Sequence, residues 1–522
     1  MTTPHSAISL LPRPTQIDVR AGSFTLDSDT AVRVSPQAAP ALQLLRELLN
    51  PATGLPLPAS STGSLTLDLD VELTGLGAEG YELTVDTDRV LLRAAALAGL
   101  RHGAQTLRQL LPVDAYAAHA VGDVAWTLPC VRITDVPRLA WRGGMLDVAR
   151  HFQPIEYLYR FADLLAAHKA NVMHLHLTDD QGWRMPVQAY PLLTEIGAYR
   201  SETAGDGIHH GGAYTRDDLT GFVAYAARRG ITVVPEIEMP GHTRAALAAY
   251  PELGNRPERR LDVWTRWGVC ENILGVHDAV LDFCRTVLDE TMEIFPSRYV
   301  HLGGDESPLV EWNESPRAAE RIREKNLSGT RGLYRWFMGE VADHVTRAGR
   351  RPLAWAEDEL TLPPAVTVMP WRDAEHGREA IARGHDVVMA PHLETYLDYA
   401  ATTDPDEPPA HEEGVILLPL RTAQQFTAVP AAWGAEAAER VLGMQAQIWT
   451  EYLPTQELVE YRAFPRFSAL ADAAWGGVDK WDSFTPRLVQ HRLRLDALGV
   501  PRSVRREGAS DRTPSIGRTG SS

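Results

Sequence analysis

The sequence predicts an α/β protein, a (β/α)8 TIM barrel preceded by a small α+β domain. Three observations lead there. From residue 138 onward, short apolar segments alternate with longer amphipathic ones, as parallel strands alternate with crossover helices. Eight such apolar segments occur in that region, the number that closes a barrel. Before it, short segments alternate residue by residue between apolar and polar, which marks strands with one face in water.

At 522 residues the chain exceeds one ordinary core, and its 44% hydrophobic and 23% charged residues are those of a globular protein. We divide it into an accessory α+β domain (1–137), a catalytic barrel (138–501) and a polar, Ser/Gly/Arg-rich tail (502–522) expected to be disordered. In the first domain, strands are expected at 17–19, 24–26 and 31–34, then a helix over 39–49 ended by Asn50-Pro51. Residues 65–69, 81–85 and 90–92 read as half-exposed antiparallel strands, and 94–111 as a helix stopped by Pro112. No cluster of catalytic residue types falls here, so the domain reads as support.

Barrel strands are expected at 141–146, 171–177, 231–237, 299–302, 352–355, 366–370, 386–390 and 444–448. The clearest helices between them are 155–168, 215–229, 276–294 and 332–348, with closing helices at 455–473 and 483–498. The stretch 400–430, rich in Pro, Asp and Glu, reads as a long loop without a helix.

Composition excludes several functions. A net charge of −17 does not suit a phosphate backbone, which needs clustered cations. Cys130, Cys270 and Cys284 are far apart with no Cys-x-x-Cys spacing, so neither a disulfide framework nor a zinc site is expected. No compact His/Asp set with metal-ligand spacing appears, and neither metal nor cofactor is expected. No apolar run is long enough to span a membrane. Residues 1–14 carry no basic segment followed by an apolar core, so no signal peptide is visible. A cytoplasmic enzyme is the simplest expectation, with secretion by another route left open.

In a barrel the reactive groups gather at the C-terminal strand ends. The first expected strand leads to Asp147, Arg150 and His151, and the second to Thr178-Asp179-Asp180-Gln181-Gly182-Trp183-Arg184. The third opens into Glu236-Ile237-Glu238-Met239-Pro240-Gly241-His242, and the fourth, after Gly303-Gly304, into Asp305-Glu306. The remaining ends carry Trp355 and Glu357, then Trp371, then Tyr396 and Asp398, and finally Trp449-Thr450-Glu451. His174 and His176 share one face of their strand and read as packing or supporting residues.

Adjacent carboxylates repel, so one of the Asp305-Glu306 pair is readily driven to keep its proton; alone, such a pair is as ordinary as any acidic helix start. Acids, one arginine and several tryptophans recurring at strand ends suggest a ligand with polar edges and apolar faces. Aromatic rings stack on the C–H face of a pyranose while carboxylates and arginine take its hydroxyls, which points to carbohydrate. An acid beside a base is also what breaking a glycosidic bond requires.

His301-Leu302-Gly303-Gly304-Asp305-Glu306 resembles the signature of glycoside hydrolase family 20, the β-N-acetylhexosaminidases. Met145-Leu146-Asp147-Val148-Ala149-Arg150-His151-Phe152, His176 to Arg184, and Pro235 to His242 resemble further blocks of that family in the same order, and similarity runs over about 139–475. The resemblance implies exo-acting, retaining, substrate-assisted hydrolysis of terminal β-linked GlcNAc or GalNAc from oligosaccharides through an oxazolinium intermediate. It implies Glu306 as general acid and base, its carboxyl kept protonated by Asp305 and partial burial, and Asp305 as the group that orients the 2-acetamido N–H. Tyr396 would donate to the acetamido oxygen, and Trp355, Trp371 and Trp449 would wall the sugar. Arg150 would bind ring hydroxyls and Asp398 and Glu451 the outer ones, while Asp179 and His242 would steer Glu306. Glu238 departs from the pattern, which more usually has Asp there, and Arg142-Gly143-Gly144 precedes the first block. A disaccharide-releasing relative of the lacto-N-biosidase kind and an inactive sugar-binding protein remain as alternatives. Neither nucleic acid nor membrane is an expected partner.

Overall fold

The alternation in the first 135 residues builds a six-stranded sheet: β1 (Gln16–Thr25), β2 (Val32–Val34), β3 (Leu65–Leu69), β4 (Tyr81–Val85), β5 (Val90–Ala94) and β6 (Thr127–Asp135), in the order β1-β6-β4-β5-β3-β2. In β4 the period of two is explicit: Tyr81, Leu83 and Val85 are buried while Glu82 and Thr84 are partly exposed. Helices α1 (Ala39–Thr53) and α2 (Leu97–Leu110) pack on this layer and complete its core. The structure, a computed structural model, describes residues 8–356, 362–410 and 416–502. Residues 1–7, part of the segment read for a signal peptide, Glu357 and the 503–522 tail lie outside them.

Two expectations for this domain are corrected. The sheet is mixed, because β3 runs parallel to both β2 and β5; α1 is the crossover between β2 and β3, and parallel neighbours need one. Helix α1 also continues through Pro51, ending at Gly54 with φ 67° and a bond from its N–H to the Asn50 carbonyl of 2.9 Å. A proline in the last turn forfeits a single backbone bond, and glycine in the left-handed region then stops the helix.

The second region is a closed barrel of eight strands. They are β7 (Trp141–Asp147), β8 (Val172–His176), β9 (Thr232–Glu236), β10 (Tyr299–His301), β11 (Arg351–Ala356), β12 (Thr367–Pro370), β13 (Val387–Met389) and β14 (Val441–Ala446). Parallel pairing of β14 with β7, from Gly443–Trp141 to Ala446–Gly144, closes it. Along β8, Met173 and Leu175 join the core between barrel and helices, whereas Val172 joins the cluster inside the barrel. By the same period His174 and His176 face inward, as Glu236 does beside Val234.

Helices α3 (Ile155–Ala167), α4 (Arg216–Arg228), α5 (Asp278–Ile294), α6 (Gly329–Arg347) and α7 (Ala374–Ala382) surround the barrel. Thr215 and Asp218 form a reciprocal capping box that starts α4. The expected closing helix over 455–473 is broken at Phe464-Pro465 into Gln456–Ala463 and Arg466–Gly476, since Pro465 has no N–H for an intrahelical bond. Trp481–Ala497 forms the last helix. The 400–430 stretch holds a short helix, Leu420–Gln425, contrary to expectation; Pro419 precedes its first turn.

The two domains meet at the N-terminal ends of β7 and β8, opposite the strand ends that carry Asp305-Glu306. Asp135, at the end of β6, accepts from Lys169 Nζ at 2.8 Å, Tyr81 OH at 2.7 Å and Trp475 Nε1 at 2.8 Å. Arg142 reaches Glu79 at 2.5 Å. A buried charge costs several kcal/mol unless its partner and hydrogen bonds offset it, and here Lys169, Tyr81, Trp475 and Thr15 all donate to one carboxylate. No helix among the described residues is long and apolar enough to cross a membrane.

Candidate active site

Strand β10 passes through Leu302 into Gly303-Gly304, with φ 63° and 95°. A Cβ on Gly303 would fall 1.8 Å from Glu238 Oε2, so only glycine lets this turn close against the Glu238 carboxyl. Gly304 N–H donates to Glu238 Oε2 at 3.3 Å, and Tyr334 OH donates to the Gly304 carbonyl at 2.5 Å. The turn delivers Asp305 and Glu306 to the barrel mouth, and Glu306 itself has φ 41°. A non-glycine residue held in that region stores strain, which the surrounding bonds must sustain.

His242 Nε2 faces both acids, 4.0 Å from Asp305 Oδ2 and 3.8 Å from Glu306 Oε2. Its Nδ1 lies 3.2 Å from Asp179 Oδ1 and 3.3 Å from Asp180 Oδ2. The other oxygen of Asp179 receives His176 Nε2 at 3.0 Å and Arg150 Nη2 at 2.9 Å. His176 Nδ1 in turn donates to Glu236 Oε2 at 2.5 Å. Glu236 also accepts from Trp355 Nε1 at 2.7 Å and has His301 Nδ1 at 2.8 Å and His174 Nε2 at 3.1 Å. Carboxylates and imidazoles thus alternate from the barrel interior to the reactive pair.

Charge alternates along the same line. Burial alone would raise Glu236, but the His301, His176 and His174 rings hold it well below the carboxylate range. Burial opposes charge on His176, yet Glu236 and Asp179 lift its pKa to about 10. Asp179, buried too, is held far down by Arg150 and His242, and His242 is pushed well above an ordinary histidine chiefly by Asp179 and Asp180. Glu238 goes the other way: burial, Asp305 and Glu236 raise it well above the usual range, so it keeps its proton.

The tryptophans form one wall. Ring centroids are 6.0 Å apart for Trp355–Trp449 and 6.1 Å for Tyr396–Trp449, and Tyr396 lies near-parallel to Trp371, 18° between planes, at 6.4 Å. The Arg150 guanidinium lies 4.9 Å from the Trp449 ring centre. Burial first, and then the charge of Asp305, raise the Tyr396 phenol well above its ordinary value, so it stays a neutral donor. Glu451 is 3.9 Å from Arg150; burial, with Asp147 and Asp398, lifts its pKa to about 6 against the pull of Arg150.

Of the residues the sequence singled out, Arg150, Asp179, His242, Asp305, Glu306, Trp355, Trp371, Tyr396, Trp449 and Glu451 are linked by these contacts, and Asp398 bears on Glu451 electrostatically. Trp183 and Arg184 instead lie in the surrounding core, where Trp183 donates to the Met185 carbonyl and Arg184 to the Val148 and Ala149 carbonyls. The reading missed the central place of Glu236, the packing of Glu238 on Gly303, and Gln181, whose Oε1 accepts from Arg150 Nε at 3.2 Å. An inward-facing acid within an otherwise apolar strand was the signal for Glu236. Compact ligand-type groups do occur, contrary to expectation: Asp179–Asp180–His242 and His176–Glu236–Glu238 each converge from separate strands, and their atoms act as hydrogen-bond partners of one another or of neighbouring groups.

Residues 139–478 match the family model described as glycosyl hydrolase family 20, catalytic domain, and residues 7–136 match domain 2 of the same family. The chain belongs to glycosyl hydrolase family 20. This family 20 protein is 36% identical to a β-hexosaminidase of Porphyromonas gingivalis over 94% of its own length and 64% of the relative's. It is 33% identical to a β-N-acetylhexosaminidase of Cellulomonas fimi, over 94% and 95% of the two chains. The solved GH20 β-N-acetylhexosaminidase of Streptomyces coelicolor superposes with a TM-score of 0.85 at 31% identity, covering 98% of this chain and 100% of that one. The protein is a glycoside hydrolase of the β-N-acetylhexosaminidase type.

Proposed function

We propose that this family 20 enzyme removes single terminal β-linked GlcNAc or GalNAc residues from oligosaccharides, using the substrate's acetamido oxygen as nucleophile. The observation that carries the reading is that Asp305 and Glu306, 4.0 and 3.8 Å from His242, stand at the barrel mouth that Tyr396, Trp449 and Trp355 wall, with Tyr396 6.1 Å from Trp449 between ring centroids and its phenol kept neutral by burial. A carboxylate and a phenolic O–H are the complementary partners of an amide N–H and C=O, so together they would hold an acetamido group in one orientation. Solved relatives support the sugar class: one from Vibrio harveyi contains N-acetylglucosamine, and one from Streptomyces plicatus contains GlcNAc as product.

In the first step Glu306 gives its proton to the glycosidic oxygen, the C1–O bond breaks, and the acetamido oxygen bonds to C1. Asp305 stabilises the positive charge on the resulting oxazolinium through its N–H. In the second step water attacks C1 and passes a proton to Glu306 while the acetamido oxygen leaves, so the β configuration is restored. His242, cationic and facing both acids, would stabilise Glu306 as it becomes an anion. Holding the nucleophile on the substrate itself can be worth several powers of ten, given effective molarities of about 10⁵–10⁸ M.

A disaccharide-releasing enzyme would need open space beyond the outer hydroxyls, where Arg150 and Glu451 lie 3.9 Å apart. An inactive lectin would have no use for the acid. Incubation with an aryl β-GlcNAc, followed by NMR of the sugar as it forms, tests the proposal. Release with β-GlcNAc appearing first is expected; binding without release, or α-GlcNAc first, sinks it.

A further inference from the structure

The side of the pocket behind Arg150 has a wall of its own. Gln181 accepts from Arg150 Nε at 3.2 Å and donates through Nε2 to the Arg266 carbonyl at 2.9 Å. The next residue is Trp267, which is half-buried. Its indole packs against His151 at 5.6 Å and Tyr452 at 6.4 Å between ring centroids, and these two residues directly follow Arg150 and Glu451 in the chain. The Arg200 guanidinium lies 5.5 Å over the indole. The loop is fastened just before it as well, by Trp264 N–H to the Asp180 carbonyl at 3.0 Å and by Ala204 N–H to the Thr265 carbonyl at 2.7 Å. A large flat side chain is therefore held, by anchored backbone and by aromatic contacts, against the residues that directly follow the two assigned to the sugar's hydroxyls.

We propose that Trp267 determines exo specificity: it closes the pocket behind the terminal sugar, so that a GlcNAc bearing a further sugar on O3 or O4 is refused. The proposal rests on the exo reading above. A fixed indole rejects an added pyranose by overlap, and a clash discriminates more sharply than the loss of one favourable contact. Gln181 couples the two functions, since one side chain orients Arg150 and positions the loop that carries the stop.

The test compares wild-type enzyme with Trp267→Ala on three aryl β-glycosides: GlcNAc alone, and GlcNAc carrying galactose on O3 or on O4. The quantity read is the ratio of kcat/KM for each capped substrate to that for the uncapped one. Trp267→Ala is expected to raise the ratio about tenfold or more for at least one capped substrate, through a gain in its rate of disaccharide release. Trp267→Phe keeps a smaller ring against His151 and should move the ratio the same way by less; if the alanine variant does not fold, this variant decides. An unchanged ratio in active enzyme, or wild-type enzyme that already releases the disaccharide, overturns the proposal. Wild-type enzyme that leaves the uncapped glycoside intact overturns the exo reading and this proposal together.

Discussion

His176 Nδ1 lies 2.5 Å from Glu236 Oε2 inside the barrel, and this buried pair anchors the row of alternating charges that ends at the reactive acids. Replacing Glu236 by Gln keeps an acceptor for Trp355 Nε1 but removes the charge that keeps His176 cationic. We expect kcat/KM to fall roughly 10- to 100-fold, as when an outer partner of a catalytic group is lost, with a lower unfolding temperature besides. Steady-state kinetics beside a thermal melt separates the two effects: full kcat in a folded variant would show that charge on His176 does not reach the acids.

Glu306→Gln removes the proton donor while preserving shape. Substrates with poor leaving groups should lose most of their turnover, on the order of 10²-fold or more, whereas activated aryl glycosides should lose much less. Rates on a series of leaving groups give the answer, and equal losses throughout would contradict the acid role.

Asp305→Ala should lower turnover by about 10²–10³ with the fold intact, since the oxazolinium N–H loses its carboxylate. Tyr396→Phe, deleting one donor to the acetamido oxygen, should act in the same direction. Kinetics of both variants on one aryl β-GlcNAc suffices: undiminished rates in Asp305→Ala would mean that the acetamido group is not the nucleophile.

The pH dependence of stability follows from the buried histidines. His102, His151, His168 and His174 are each depressed by burial to about 4. A depressed folded pKa means that the unfolded chain takes up protons first as pH falls, so stability is complete above about 6.5 and is lost progressively toward 4. His176 has the opposite sign: its contribution is complete below about 6.5 and is lost as pH rises toward 10. Urea unfolding between pH 4 and 7 should therefore show stability falling on acidification, each depressed histidine adding up to about 1 kcal/mol per pH unit. His168→Gln should reduce that slope.

The barrel and its mouth were legible because both announce themselves locally. Strand period and strand-helix alternation located all eight strands, and the polar residues immediately after them could only gather at one rim. What stayed hidden depends on contacts distant in sequence. Glu236 sits in a strand of ordinary apolar appearance, and its importance comes from His174, His176, His301 and Trp355, supplied by three other strands. Trp267 lies in a loop with no period to read. The parallel pairing of β3 likewise depends on which strand α1 returns to, a choice its own alternation does not encode.

The contact of Asp135 with Lys169, Tyr81 and Trp475 constrains how such proteins can be recombined. Of these four residues, Asp135 and Tyr81 lie in the first domain and Lys169 and Trp475 in the barrel, so neither half carries a complete set of hydrogen bonds. A chimera joining this barrel to another accessory layer would inherit a buried lysine with no counter-ion, a defect of roughly 3–5 kcal/mol. Exchange is tolerated only when the acid and the lysine travel as a pair, which makes the two halves a single unit of inheritance.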